Sequence, residues 1–166
     1  MTSRIAHLPR RFLIGRRGSA AVEFALVLPF LMLLMFAFIG VGRLFWNYHI
    51  AISAVRDAAR YAARLPMTCA GLSAGDQLEV QHLARTGDVA AAGAPLIVDW
   101  TSDASVVVTV TCVSNAGGAY SGRYDGMADV PVVKVTASPP YVDAFGGLTG
   151  VSLTTFSVSA QQAWTE

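Results

Sequence analysis

Residues 18–63 read GSAAVEFALVLPFLMLLMFAFIGVGRLFWNYHIAISAVRDAARYAA. Inside this stretch, Phe24 to Gly42 is a run of 19 residues with no charge and no strongly polar side chain. A helix needs about 20 apolar residues to cross ~30 Å of hydrocarbon. Glu23 bounds the run on one side and Arg43 on the other. A buried core helix is the alternative, but Leu, Met and Phe fall on every face rather than on one stripe, which favours a membrane helix. Pro29 lies inside the run, removes one backbone donor and should bend the helix nearby. Gly40 and Gly42 loosen its outer end. Gly40-x-Gly42 also resembles a signal-peptidase site, although a secretory signal has an apolar core of only about 7–15 residues.

Working outward, the charge is divided unevenly. The 166 residues carry a formal net charge of +1, with 54% hydrophobic and 14% charged residues. That charged fraction is far below the roughly 25% of an average soluble domain. It excludes a disordered tail and a highly charged nucleic-acid binder. Arg4, Arg10, Arg11, Arg16 and Arg17 all precede the span, with no acid among them. Positive charge stays cytoplasmic, so the N-terminus is expected inside and residues 44–166 outside. Arg43 can snorkel to the outer interface, where Trp46 and Tyr48 suit an aromatic belt.

Two residues before the span form a possible processing site. Gly18 is followed by small residues, and Glu23 is the fifth residue after it. A cut between Gly18 and Ser19 would release a basic leader and leave a new amine four residues from Glu23. A carboxylate in hydrocarbon costs about 2.5 kcal/mol or more at the bilayer centre, so Glu23 needs a partner. A cationic N-terminal amine, its own or a neighbour's, would serve. Dipole compensation in a first helical turn is a second role for Glu23, worth about 0.3–1 kcal/mol. A cut after Gly15 would place Ala20 fifth, so Gly18 is the better scissile residue.

The pattern of Gly18, Glu23, Val27-Leu28-Pro29, Gly42-Arg43 and the Ala-Arg repeat around Arg56, Arg60 and Arg64 resembles the TadE family. These are pseudopilins, or minor pilins, of the Tad (Flp) tight-adherence pilus, with a type IV pilin-like leader and N-terminal helix. The resemblance runs from Gly18 to about Ala63, and residues 66–166 are similar only in outline. It implies cleavage by an inner-membrane prepilin peptidase and a part in pilus assembly, adhesion and biofilm formation. The implied partners are the inner membrane, other Tad pilins and pseudopilins, and pilus assembly platform proteins. The implied location is the bacterial inner membrane, single-pass, with the C-terminal domain periplasmic.

Beyond the membrane, Phe45, Tyr48, Ile52, Val55, Ala59 and Ala62 continue a helical apolar stripe. His49, Ser53, Arg56, Arg60 and Arg64 fall on a neighbouring polar face, read as solvated. Pro66 ends the pattern. Residues 19–64 would make one helix about 69 Å long at 1.5 Å per residue. Residues 52–62 are expected to pack on the chain's own sheet, and 24–48 against sister helices in a filament. In the remainder, Ser73 can cap a helix with Asp76 at its third position, and Gly87 can end it. Four strands are expected, at Leu96–Trp100, Ser105–Val113, Val130–Ala137 and Val151–Ala160. The second should turn Val106, Val108, Val110 and Cys112 to one face, and the third Val133, Val135 and Ala137, with Lys134 outward. Two connectors, one around Asn115-Ala-Gly-Gly and Asp125-Gly126, the other from Pro139 to Gly150 with Tyr141 and Phe145, are candidate contact surfaces or plain loops with an anchoring aromatic.

The expected fold is therefore α+β and pilin-like. A basic leader (1–18) precedes a long helix (19–65, membrane-spanning at about 24–43). A periplasmic α+β domain (66–166) follows, its antiparallel sheet packed on the helix. Cys69 and Cys112 are the only cysteines. An oxidising periplasm favours a bridge between them, worth up to about 4 kcal/mol for a loop this long. Two buried free thiols are the alternative. Gly71-Leu-Ser73-Ala-Gly75 matches a nucleophile elbow, but only His82 lies downstream, and Ser73 as a cap explains it better. His7, His49 and His82 are scattered. No catalytic group, metal, cofactor, nucleic acid or small-molecule substrate is expected. Two rival readings remain: an uncleaved single-pass anchor presenting a binding or scaffold module of an envelope secretion complex, and a soluble domain released by a cut near Gly42.

Overall fold

The computed structural model describes residues 17–142 and 154–165. The leader up to Arg16 lies outside them, as do Phe145 and the first residues of the expected fourth strand. The chain is α+β: a long N-terminal helix, a short second helix, and a small antiparallel sheet.

Helix α1 runs Arg17–Ala62 without a break, through Pro29, Gly40 and Gly42. Its last turn tightens, with Arg64 N–H donating to Tyr61 and Leu65 N–H to Ala62. Such i→i+3 bonds are one way a helix end satisfies its last carbonyls. The C-terminal segment supplies another: Thr165 N–H donates to Ala63 O at 2.8 Å, and Trp164 Nε1–H to Leu65 O at 3.3 Å. Helix α2 is Ala74–Thr86. Ser73 caps it by accepting from Asp76 N–H, and Gly87 closes it in the left-handed conformation at φ 77°. Ser73 is thus committed to the helix start, as expected for a capping box.

Strands β1 (Val106–Ser114), β2 (Asp129–Ala137) and β3 (Val158–Ala163) form an antiparallel meander in the order β1-β2-β3. Val133, Val135 and Ala137 are fully buried on one face of β2, and Lys134 lies on the other. The core joins this face to Ala51, Val55, Ala58 and Ala62 of α1 and to Val80 and Ala84 of α2. Alanines on α1 let the sheet approach the helix backbone closely. A buried valine such as Val55 contributes about 1.5–3 kcal/mol by leaving water.

Three expectations are corrected. Leu96–Trp100 is not a strand: Trp100 N–H donates to Ile97 O at 3.1 Å, and Asp99 has φ 68°. That turn buries Ile97 and Trp100 and leaves Val98 out, a spacing that alternation does not describe. Among the described residues of the expected last strand, 154–157 lie outside the ladder, which begins at Val158. Upstream, Thr155 faces Pro140 in an isolated bridge in the same register. Proline has no N–H, so the paired prolines at 139 and 140 cannot sustain a ladder there. On β1, Val106 and Val108 are buried but Cys112 is exposed. The far half of β1 overhangs the core, because α2 meets the strand at its start, where Gln81 Nε2 donates to Val106 O. The buried face of α1 begins at Ala51, close to the expected start at residue 52, and Phe45 and Tyr48 lie outside it (62% and 43% exposed). Tyr48 makes a tilted ring contact with Phe156, centroids 6.1 Å apart.

Candidate membrane anchor and processing site

Two halves of α1 have opposite surroundings. From Ala51 onward one face is in the core, and Tyr61 Oη donates to Glu79 Oε2 at 2.6 Å, tying α1 to α2. That bond, burial and the Glu79 charge hold the Tyr61 phenol above its ordinary pKa. The polar face is as expected: Arg56, Arg60 and Arg64 are exposed, and Arg60 lies 3.6 Å from Asp57. An exposed pair of this kind contributes little.

Toward the N-terminus, large apolar side chains are bare on every face. Phe24, Leu26, Phe30 and Phe38 are 59–71% exposed, and the most apolar window is wholly uncovered. The uncharged run of 19 residues extends about 28 Å along the axis, matching the ~30 Å of a bilayer core. By length and composition, α1 is a candidate membrane anchor. Pro29 lies within this part, and Arg43 is exposed one residue past its outer end.

Gly18 and Glu23 lie in the first turns of α1, both exposed and far along the helix from the domain. A Cβ added at Gly18 would meet no atom within 4 Å. The structure does not bring these two together with Cys69 and Cys112, which form a disulfide at the opposite end. The bridge joins the connector after α1 to the far half of β1, with Cα atoms 5.6 Å apart.

Gly42 and Arg43 do gain neighbours. With Ile39 and Trp46 they line a groove closed on the other side by Leu96 and Val98. Nearby, Tyr141 Oη donates to Gly40 O at 2.9 Å. Sequence reasoning missed both contacts. The apolar triplet Leu96-Ile97-Val98 after Pro95 was the available signal, and it reads equally as a strand.

Elsewhere, Arg85 Nε donates to Asp103 Oδ1, and His82 Nε2 lies 3.6 Å from Asp103 Oδ2. This cluster fastens α2 to the Asp103–Ser105 turn. No group of three or more His, Cys, Asp or Glu side chains gathers as a metal site among the described residues.

Fold and site define a class: a small α+β domain carried on a helix that is a candidate membrane anchor. Within that class, the family model for TadE-like protein matches residues 18–60, so over that segment, about a quarter of the chain, it is similar to a family associated with the Tad pilus. The matched segment takes in nearly all of α1 and none of the sheet. No curated protein and no solved structure matches the chain significantly.

Proposed function

We propose that this protein is a pseudopilin, or minor pilin, that takes part in assembly of the Tad (Flp) pilus and so supports adhesion and biofilm formation. It enters the inner membrane through α1, with its arginine-rich leader cytoplasmic and its α+β domain periplasmic. Prepilin peptidase cuts between Gly18 and Ser19, and the freed amine, its own or a neighbouring subunit's, pairs with Glu23. The uncovered half of α1 then packs among sister helices and the assembly platform. The observation that carries this reading is the division of α1, because a TadE-like helix is buried by its own domain only from Ala51 onward, with looser contacts at 39–50 and bare apolar side chains before them. A cut near Gly42 is disfavoured by the same geometry: it would fall inside a continuous helix and remove Gly40, the acceptor for Tyr141.

Mass spectrometry of the membrane-bound form tests the proposal. A mature chain starting at Ser19 is expected. A chain starting at Met1 would instead make it an uncleaved anchor for a periplasmic module, and one starting at Arg43 a released soluble domain.

A further inference from the structure

The sheet has a direction relative to α1. Asn115–Ala128, the connector between β1 and β2, lies at the end where Trp164 meets Leu65, just past the helix C-terminus. The opposite end carries the Ile97–Trp100 turn and Tyr141, which reach α1 between Ile39 and Trp46. That stretch is about 10 Å of helix, and it straddles the point where the uncharged run gives way to Arg43.

Two separate loops therefore set apolar side chains at one level. In the first, Ile97 and Trp100 are anchored in the core at 3% and 0% exposure, whereas Val98 between them protrudes at 79%. In the second, Tyr141 is buried and fastened to Gly40, and Val142 beside it is 64% exposed. Trp46, on the α1 face toward the first loop, is 70% exposed. A lone exposed valine is unremarkable, but bare apolar side chains grouped at one level beside the end of an uncharged helical run mark a contact surface.

We propose that this rim, Leu96, Val98 and Val142 with Trp46, rests in the headgroup layer of the bilayer that α1 enters, so that the domain lies on the lipid instead of standing off from it. The proposal rests on the anchoring of α1, but not on its cleavage or on the pilus. Depth selects lipid as the occupant: if residues 24–42 fill the hydrocarbon, the rim is level with the phosphates. The Arg43 guanidinium, lining the groove, suits a lipid phosphate. Trp46 has the amphipathic ring that favours this zone. Asp99 at the tip of the first turn keeps that loop in the headgroups and out of the hydrocarbon.

The test uses the full chain in vesicles of phosphatidylethanolamine and phosphatidylglycerol, with the Cys69–Cys112 bridge intact and one added thiol carrying a nitrobenzoxadiazole probe. Probes are placed by Val98→Cys, by Val142→Cys, by Leu34→Cys within the run, and by Ala116→Cys at the far end. Lipids bearing a shallow nitroxide should quench most emission at positions 98 and 142, and little at 116. A deep nitroxide should quench position 34. Quenching at 34 with 98 and 142 behaving like 116 overturns the proposal and leaves the anchor standing. No quenching at 34 removes the anchor and the proposal with it. A blue shift at 98 that grows with protein density and ignores the nitroxide assigns the rim to a second copy, and also overturns it.

Discussion

Tyr141 donates its phenolic hydrogen to the main-chain oxygen of Gly40 at 2.9 Å, across 101 residues of chain. The bond joins the domain to the last turn of the uncharged run. Tyr141 is held in place by its own backbone, whose N–H donates to Thr154 O at 2.8 Å. Removing the hydroxyl while keeping the ring isolates the tie. Tyr141→Phe should lose about 0.5–1.5 kcal/mol, the net value of one such bond. Denaturant unfolding of the full chain in detergent would read this as a lower midpoint at unchanged slope. An unchanged midpoint would mean that ring packing alone holds the domain to α1.

The Cys69–Cys112 bridge should act as a clasp on a loop of 43 residues' separation that contains α2. Replacing both cysteines by serine is expected to cost about 2–4 kcal/mol, mainly by freeing the unfolded chain. Both residues are exposed, so a mild reductant should open the bridge without denaturant. Mass spectrometry after thiol alkylation would count the reduced sulfurs, and resistance of the folded chain to reductant would contradict the exposure.

Local chemistry made much of this architecture readable. Ser73, Asp76 and Gly87 bound α2 because caps act over a few residues, and the Val133–Ala137 alternation places β2 because the pleat repeats every two. The long helix and the arginine face of α1 follow from periodicity in the same way. What failed was decided by distant partners. Ile97 and Trp100 look like strand residues until a core pocket claims both ends of a turn. Gly40 carries no side chain to advertise that its carbonyl is an acceptor. The proposed processing role of Gly18 and Ser19 rests on sequence pattern alone, since the chemistry it calls for belongs to another protein.

Tyr61 links the helices through Glu79, and its phenol is held above the ordinary tyrosine pKa chiefly by that hydrogen bond. A raised folded value means that the neutral phenol stabilises the fold. The contribution is whole below the unfolded value of about 10 and disappears as pH rises through the folded one. Tyr61→Phe should therefore cost about 0.5–1.5 kcal/mol at neutral pH and flatten the alkaline limb of the stability profile. Thermal unfolding of both chains from neutral to strongly alkaline pH measures it. Parallel profiles would show that the Glu79 contact carries no pH dependence.

Glu23 offers the sharpest separation of insertion from assembly, since a carboxylate beside hydrocarbon opposes the first and, if it pairs with an amine, promotes the second. An acidic residue costs about 2.5–3.5 kcal/mol at the bilayer centre and less at its edge. Glu23→Ala should insert at least as well as the wild type and should still be cut, because the bond between Gly18 and Ser19 is untouched. The cleaved protein should nevertheless be missing from sheared pili. Gly18→Ala makes the complementary change: a Cβ there meets no atom within 4 Å, so α1 is undisturbed, and the expected product is an intact precursor. Immunoblots of membrane and pilus fractions from both variants read cleavage and incorporation independently. Normal incorporation of Glu23→Ala would remove the assembly role of the carboxylate, and normal trimming of Gly18→Ala would remove the peptidase assignment.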